Sequence, residues 1–373
     1  MMKSNNIFAG DQRKCVVLTS DEPWSDVWHT QLHYAYQLSA THHVLFVGPP
    51  SKWNLKNLFT LNLRTQRYND HLVLVNYINF LPLFLGYFSI LVNDLLNQWL
   101  ISKLIGRRLV SSGLIMWRFD HFRGFTMFNN PSRHRQIFHV IDPISECKYD
   151  AYMAKRAELV VVSSPRFVEH YRSLNRNVLQ VGQGVDLEFY QSQHLESDAI
   201  RVSSNSLLLL GTLSNDIDYL LLKKIASASD LPMVLIGPNK ISNTEKGLQF
   251  ESLLSLENVH WLGAMPPEKF KPHLMACAAG LICYDHSVNA NNALRSPLKA
   301  IGYLAAGKPI ITNIDCEIPE LEGKAIYFFN DEDAFLECAI NPQLNFAQQD
   351  VQGFLQKVSY NTLIARIFNA LDK

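Results

Sequence analysis

Several features that would place a chain outside the folded globular proteins are missing here. No low-complexity tract and no internal repeat interrupts the 373 residues, which excludes disordered and solenoid classes. The six cysteines (15, 147, 277, 283, 316 and 338) form no CxxC pair and have no His at zinc-ligand spacing. They read as buried thiols of a reducing cytoplasm. Residues 1–10 lack an apolar core of signal-peptide length, so export is not expected. The longest apolar stretch, residues 80–105, carries Asn93, Asp94, Asn97 and Gln98, which are costly in hydrocarbon. A membrane span is therefore not expected, while a peripheral surface helix stays open.

What is present fits two domains, because a single domain usually holds about 100–200 residues. The hydrophobic fraction of 47% with 18% charged residues is that of a folded protein with sizeable cores. The formal net charge is zero, yet residues 1–190 hold 20 Lys and Arg against 14 Asp and Glu, and the remainder the reverse. A basic N-terminal half favours an acidic acceptor or an anionic membrane surface; scatter between two halves of one enzyme is the plainer reading. No nucleic-acid partner is expected.

Apolar strand-like runs at 15–19, 44–50, 72–75, 114–117, 136–141 and 159–163 alternate with segments long enough for crossover helices, including 29–39. Hydrophobicity falls over 187–205, as in a linker, and the alternation restarts at 206–211. It continues through a helix at 217–227, strands at 232–237 and 260–262, a helix at 266–277, a strand at 280–284, a helix at 297–306 and a strand at 309–313. The predicted organisation is α/β: two doubly wound, Rossmann-like domains, 1–190 and 191–349, with a final amphipathic helix in 350–373 packing back across them. Two such domains facing one another would place a cleft at the carboxyl ends of both sheets.

The most informative segment begins at Ser296, Pro297, Leu298 and Lys299 and runs to Gly307, Lys308 and Pro309. Ser296 suits an N-cap, Pro297 the first helical position, and Gly307 with Pro309 the helix end. The N-terminus of such a helix attracts anions, and Lys299, one turn in, adds a full positive charge within reach of a diphosphate. An ordinary capped helix with a solvated lysine is the bland alternative.

This segment resembles the donor-binding helix of bacterial GT-B glycosyltransferases (the family 1/4-like group), where a Ser-Pro-Leu-Lys run leads into Glu-Tyr-Leu-Ala-Ala-Gly-Lys-Pro. The resemblance extends to residues 256–263, to 266–269, 274–277 and 280–284, to 157–165, and to the Gly182, Gln183, Gly184, Val185, Asp186 turn. Teichuronic-acid-type and xanthan-glucuronosyltransferase-like subgroups are suggested. The resemblance implies a GT-B fold with the donor bound mainly by the C-terminal half. It implies donor contacts from Ser296, Pro297, Leu298, Lys299, Tyr284, Gly237 and Asn292, the last in a loop with Asn289 and Asn291. Three departures stand out: Gly302 replaces a glutamate that holds the donor ribose in many relatives, Leu294 lacks the other acid of that pair, and residues 211–216 lack a basic phosphate ligand.

Sugar transfer needs an acceptor hydroxyl activated by a carboxylate or His. Asp142, after the strand at 136–141, is the first choice of base, and a strand-end turn before Pro143 is its alternative role. Asp120 and His121, after the strand at 114–117, are in reserve. Trp24 and Trp28 lie in the loop after the first strand, placed either to stack on a sugar or to pack beneath the loop. His33, His42, His43, His139, His260 and His273 are expected to be structural. The Asp-x-Asp pairs Asp216/Asp218 and Asp331/Asp333 fit a helix start and a surface turn, so no metal and no cofactor are expected. The function expected is transfer of a hexose or uronic acid from a UDP-sugar, or less so a GDP-sugar, to a saccharide or lipid-linked saccharide in surface polysaccharide assembly. Its site is the cytoplasm, or the inner membrane face through peripheral contact of the basic half. A non-catalytic GT-B-like partner protein and, behind it, a nucleotide-sugar epimerase are the alternatives.

Overall fold

The structure, a computed structural model, describes residues 13–25, 28–51, 53, 63–105, 113–121, 123, 134–141, 148–191, 203–288 and 298–373. Of the expected site, Asp142, Asn292, Ser296 and Pro297 lie outside these residues. The chain divides into two compact units, Met1–Gly182 with Leu363–Lys373, and Gln183–Thr362.

The first unit contains β1 (Cys15–Thr19), α1 (Thr30–Leu38), β2 (His43–Val47), β3 (Leu63–Arg67), β4 (Leu72–Tyr77), α2 (Tyr87–Ile105), β5 (Leu114–Arg118), β6 (Arg135–Val140), α3 (Lys148–Arg156), β7 (Leu159–Val162), α4 (Val168–Arg172) and β8 (Val178–Gln180). The sheet order is β3-β4-β2-β1-β5-β6-β7-β8. Strands β1, β2, β5 and β7 are buried along their whole length, as parallel strands covered on both faces must be. The short polar strand β3 has no counterpart in the sequence reading. It pairs antiparallel to β4, through a turn in which Asn69 Oδ1 accepts from the amides of His71 and Leu72 at 2.9 and 2.7 Å. Its exposed Arg64 and Arg67 suit a sheet edge.

The second unit contains α5 (Leu187–Gln191), β9 (Leu207–Leu210), α6 (Tyr219–Ala228), β10 (Met233–Ile236), α7 (Thr244–Leu254), β11 (Val259–Trp261), α8 (Pro267–Ala276), β12 (Ala279–Ile282), α9 (Leu298–Ala305), β13 (Ile310–Thr312), β14 (Ile326–Phe328), α10 (Glu332–Ile340) and α11 (Gln348–Lys357). Its sheet, β11-β10-β9-β12-β13-β14, is parallel throughout. In chain order this is the 3-2-1-4-5-6 winding of Rossmann folds, whose direction reverses between β9 and β12. The first unit reverses likewise between β1 and β5. The expected single terminal helix is two, α11 and α12 (Tyr360–Leu371), separated at Val358 and Ser359; from Leu363 onward the chain counts with the first unit. Phe368 packs edge-on against Trp117 there, and Arg366 donates to the Gln180 carbonyl at 3.1 Å.

One side chain fixes the β9–β12 seam. These strands pair only at Ala279 with Leu207 and Gly280 with Leu208. Beyond that point the Tyr303 hydroxyl donates to the Leu208 carbonyl at 2.8 Å and accepts from the Leu210 amide at 2.8 Å. Its ring lies where a Cβ on Gly280 would stand, so residue 280 must be glycine.

Cys15, Cys277, Cys283 and Cys316 are buried free thiols, and Cys338 is partly buried. Burial pushes Cys15, Cys277 and Cys316 up to about 12. The buried His139 stacks on Phe119 and is held down to about 3 by desolvation, a structural histidine.

Tyr303→Phe should leave two backbone groups at the seam without their partner and cost about 1–3 kcal/mol. Gly280→Ala should overpack it by a similar amount, about 1–3 kcal/mol. Urea denaturation of each variant would read both losses; an unchanged midpoint for both would show that the seam does not depend on Tyr303.

Candidate active site

Ligands of doubly wound sheets bind outside the carboxyl ends of the strands, where the winding reverses. In the second unit that point is bounded by the turns after β9, β10 and β12 and by the first turn of α9. Gly211 follows β9 with φ +126° and Gly237 follows β10 with φ +150°. A Cβ on Gly237 would overlap the Gly211 carbonyl, so these turns approach more closely than any side chain allows. Gly237 donates its amide to Gly263 O at 2.8 Å and accepts from the Trp261 indole at 3.0 Å. What it contributes is room.

Lys299 projects into this space. A Cβ on Gly211 would lie 3.2 Å from Lys299 Nζ, and Nζ stands 5.1 Å from the Tyr284 ring centroid. Tyr284 is itself held at its backbone: Asn313 accepts from its amide at 2.9 Å and donates to its carbonyl at 2.7 Å. Leu298, Lys299, Tyr284 and Gly237 are thus brought to one strand-end region, with Gly211 as a member that the sequence reading missed.

Gly302 lies on the same helix. A Cβ there would meet the Tyr190 hydroxyl at 3.0 Å. Burial, with Asp186 adding to it, pushes this phenol well above its ordinary range, so it stays protonated. The missing carboxylate at 302 therefore coincides with a neutral hydroxyl from α5. Tyr190 and Gly302 are 112 residues apart, and no local pattern links them.

The turns are cross-braced beneath. Lys246 of α7 pairs with Asp285 at 2.5 Å and donates to the Ile217 carbonyl at 3.3 Å. Burial opposes the Asp285 charge, but hydrogen bonds from Lys246 and Ser287 outweigh it and hold the carboxyl down to about 2. Asp218 caps α6 by accepting from the Leu221 amide at 2.9 Å, and Asp331 caps α10 by accepting from Ala334 at 2.9 Å. The two Asp-x-Asp pairs therefore open helices.

In the first unit the reversal point is bounded by the turns after β1 and β5, where Asp120 and His121 lie, both buried. Arg123 pairs with Asp120 and donates to Gly48 O at 2.7 Å, Ser20 O at 2.6 Å and the Tyr77 hydroxyl at 2.5 Å, tying four strand ends together. His121 Nδ1 lies 2.7 Å from Asp150 Oδ1, and the Tyr171 hydroxyl donates to the same carboxylate at 3.0 and 3.1 Å. Asp150 was missed because it acts on His121 from 29 residues away, and Arg123 because its carbonyl and phenol partners lie far back in the sequence. Trp24 packs against Phe46, Tyr68 and Trp28, with ring centroids 5.2, 4.7 and 5.9 Å away, which favours its packing role.

Comparison with solved structures matches this architecture along nearly its whole length. Sucrose-phosphate synthase of Thermosynechococcus elongatus superposes with a TM-score of 0.67 at 12% identity, over 96% of this chain and 98% of that one. The chain has the GT-B fold. Anabaena HepE, solved with UDP and glucose, gives a TM-score of 0.61 at 12% identity over 96% and 99% of the two chains. WaaG, a glycosyltransferase of lipopolysaccharide biosynthesis, gives 0.54 at 11% identity over 93% and 94%. In sequence, the putative teichuronic acid biosynthesis glycosyltransferase TuaH of Bacillus subtilis is 27% identical over 139 residues, 36% of this chain and 34% of that protein. That match spans about a third of the relative's length. No family model matches the chain.

Asp285 is lowered on folding, so its contribution is present above the unfolded carboxylate range and is lost as pH falls through about 2. Between pH 4 and 2 the GT-B chain should lose on the order of 1 kcal/mol from this group, since solvent screening at a partly exposed pair reduces the full effect. Asp285→Asn should flatten that part of the stability curve measured by urea denaturation, and parallel curves would remove the brace from the account.

Proposed function

We propose that this chain is a glycosyltransferase that moves a sugar from a nucleotide diphosphate sugar to a saccharide or lipid-linked saccharide acceptor, in surface polysaccharide assembly at the cytoplasmic face of a membrane. The observation that carries the reading is the Lys299 ammonium at the strand ends of the second unit, beside the two glycines that open the turn. A cation on the first turn of α9 adds to the positive end of the helix dipole, and both stabilise the diphosphate in the bound donor and in the leaving group. UDP is preferred over GDP on the strength of the UDP-bound relative. Tyr190 supplies a hydroxyl where Gly302 has no side chain, and serves the donor ribose in place of a carboxylate.

Of the candidate bases, Asp142 lies outside the described residues. The Asp120 carboxylate is engaged in its ion pair with Arg123. His121 is better placed: donation from Nδ1 to Asp150 fixes the tautomer whose lone pair is on Nε2, the arrangement of a general base oriented by a carboxylate. We assign His121 as base and Asp150 as its positioning residue. A non-catalytic nucleotide-binding role is the second reading, favoured by Gly302 alone.

Calorimetry with UDP and GDP on the wild type and on Lys299→Ala is the decisive first measurement. UDP should bind, and the substitution should weaken it about tenfold or more, as expected for a lost charged hydrogen bond of 1.5–3 kcal/mol. Tyr190→Phe should weaken it about two- to tenfold. His121→Asn should leave UDP binding intact while lowering donor turnover about 10²–10⁴-fold. Absence of binding at millimolar nucleotide would sink the transferase reading, and binding without any turnover in the wild type would establish the non-catalytic one.

A further inference from the structure

Helix α2 is amphipathic in the sense opposite to a water-facing helix. Its inward side carries Ser89, Asn93, Asp94, Asn97 and Gln98, all buried. Its outward side carries Phe88, Leu91, Leu95 and Trp99, which are 68%, 40%, 51% and 41% exposed. Phe84, 82% exposed, and Leu85 extend the same apolar line into the preceding turn.

The rotation of the helix is fixed by its polar side. Asn93 accepts from the Leu81 amide at 2.7 Å and donates to the Leu81 carbonyl at 2.8 Å. Asn97 donates to Asn79 Oδ1 at 3.2 Å, and Gln98 donates to the Asp94 carbonyl at 2.9 Å. Toward the C-terminus Ile101 and Ile105 join the core with Leu63, Val73 and Val75. Turning the apolar stripe inward would strip Asn93 and Asn97 of their partners outside the helix and expose both isoleucines. The stripe therefore faces outward by construction.

The charge of the stretch of sequence that contains it selects the occupant. Residues 51–110 hold seven Lys and Arg against two acids, Asp70 and Asp94, and Asp94 is buried in the polar side. Lys103 places its ammonium 3.6 Å from the Trp99 ring centroid, at the C-terminal end of the stripe. Bulky apolar side chains bordered by an indole and a lysine, in a basic stretch, suit the interface of an anionic bilayer, where apolar burial and attraction to acidic headgroups add. A protein partner would gain nothing from Lys103 and the basic stretch unless it were acidic. Among the described residues no helix is long and apolar enough to cross a membrane, so a surface mode of contact is the one open to α2.

We propose that α2 and the turn before it dock this protein on an anionic phospholipid surface, with Phe84, Phe88, Leu91 and Leu95 among the acyl chains and Trp99 and Lys103 at headgroup level. This reading is independent of nucleotide binding and sugar transfer, and its failure would leave both untouched.

The full-length protein would be sedimented with vesicles of phosphatidylcholine alone and of phosphatidylcholine mixed with phosphatidylglycerol. The wild type should bind the anionic vesicles more tightly than the neutral ones, less so at high salt, and F88Q/L95Q should lower its partition coefficient about tenfold or more. An unchanged melting temperature and unchanged UDP calorimetry would show that the variant is folded. Brominated lipid should quench wild-type fluorescence, and Trp99→Phe should remove much of that quenching. Equal sedimentation of wild type and variant, or no wild-type binding to anionic vesicles, overturns the proposal. A wild-type dimer that the variant converts to monomer, without vesicle binding, would instead assign the stripe to a second copy of the chain.

Discussion

The hydroxyl of Tyr303 couples the sheet of the second unit to the helix that carries its candidate site. A parallel sheet that reverses its winding must open somewhere, and here β9 and β12 part after Gly280. The backbone groups left over at Leu208 and Leu210 are taken up by one phenol. Because Tyr303 sits one turn after Lys299 on α9, the bond that closes the sheet also sets how far the lysine stands from Gly211. The absent side chain at 280 is what admits the ring. Room for a ligand and satisfaction of the backbone are thus achieved by the same residues, since unpaired buried amides would be costly.

The first unit solves the same topological problem with charge. Arg123 gathers two carbonyls, a phenol and a carboxylate at the strand ends around β1 and β5. Its partners compensate the cost of burying a guanidinium, which a single ion pair would not do as well. The consequence is chemical. The Asp120 carboxylate is taken up by its ion pair with Arg123, whereas the Asp150 carboxylate holds the His121 ring and accepts from the Tyr171 hydroxyl. The two units therefore differ in kind: an ammonium beside two glycines and a phenol at one reversal point, a guanidinium, an imidazole and two carboxylates at the other.

Much of the fold was legible because buried parallel strands are continuous apolar runs. The segments around Leu207, Met233 and Ile310 announce themselves without any partner in view. Strand β3 was illegible for the same reason in reverse: a polar edge strand such as Leu63–Arg67 is defined by its pairing to β4 and by the Asn69 turn, not by hydropathy. The terminal helix read as one because the apolar spacing persists across Val358 and Ser359, although the chain counts with different units on either side of Thr362. In the site, Lys299 and Tyr284 stood out through motif and position. Tyr190, Asp150 and Arg123 did not, since their roles arise from contacts made across tens of residues or from a loop with no pattern of its own.

Residues 80–105 show where composition stops being enough. Asn93, Asp94, Asn97 and Gln98 argue against a membrane span whichever way the helix is turned. Their direction, however, depends on Leu81 and Asn79, which offer the amides partners on the inner side. Once those bonds form, water is left facing phenylalanine, leucine and tryptophan. Withdrawing a large apolar side chain from water is worth about 1.5–3 kcal/mol when burial is complete, and these side chains start only partly exposed. Even at half that value several of them together exceed what a single surface ion pair, about 0–1 kcal/mol, contributes. Lys103 and the basic stretch then bias the choice of surface, while the apolar stripe supplies most of the binding free energy.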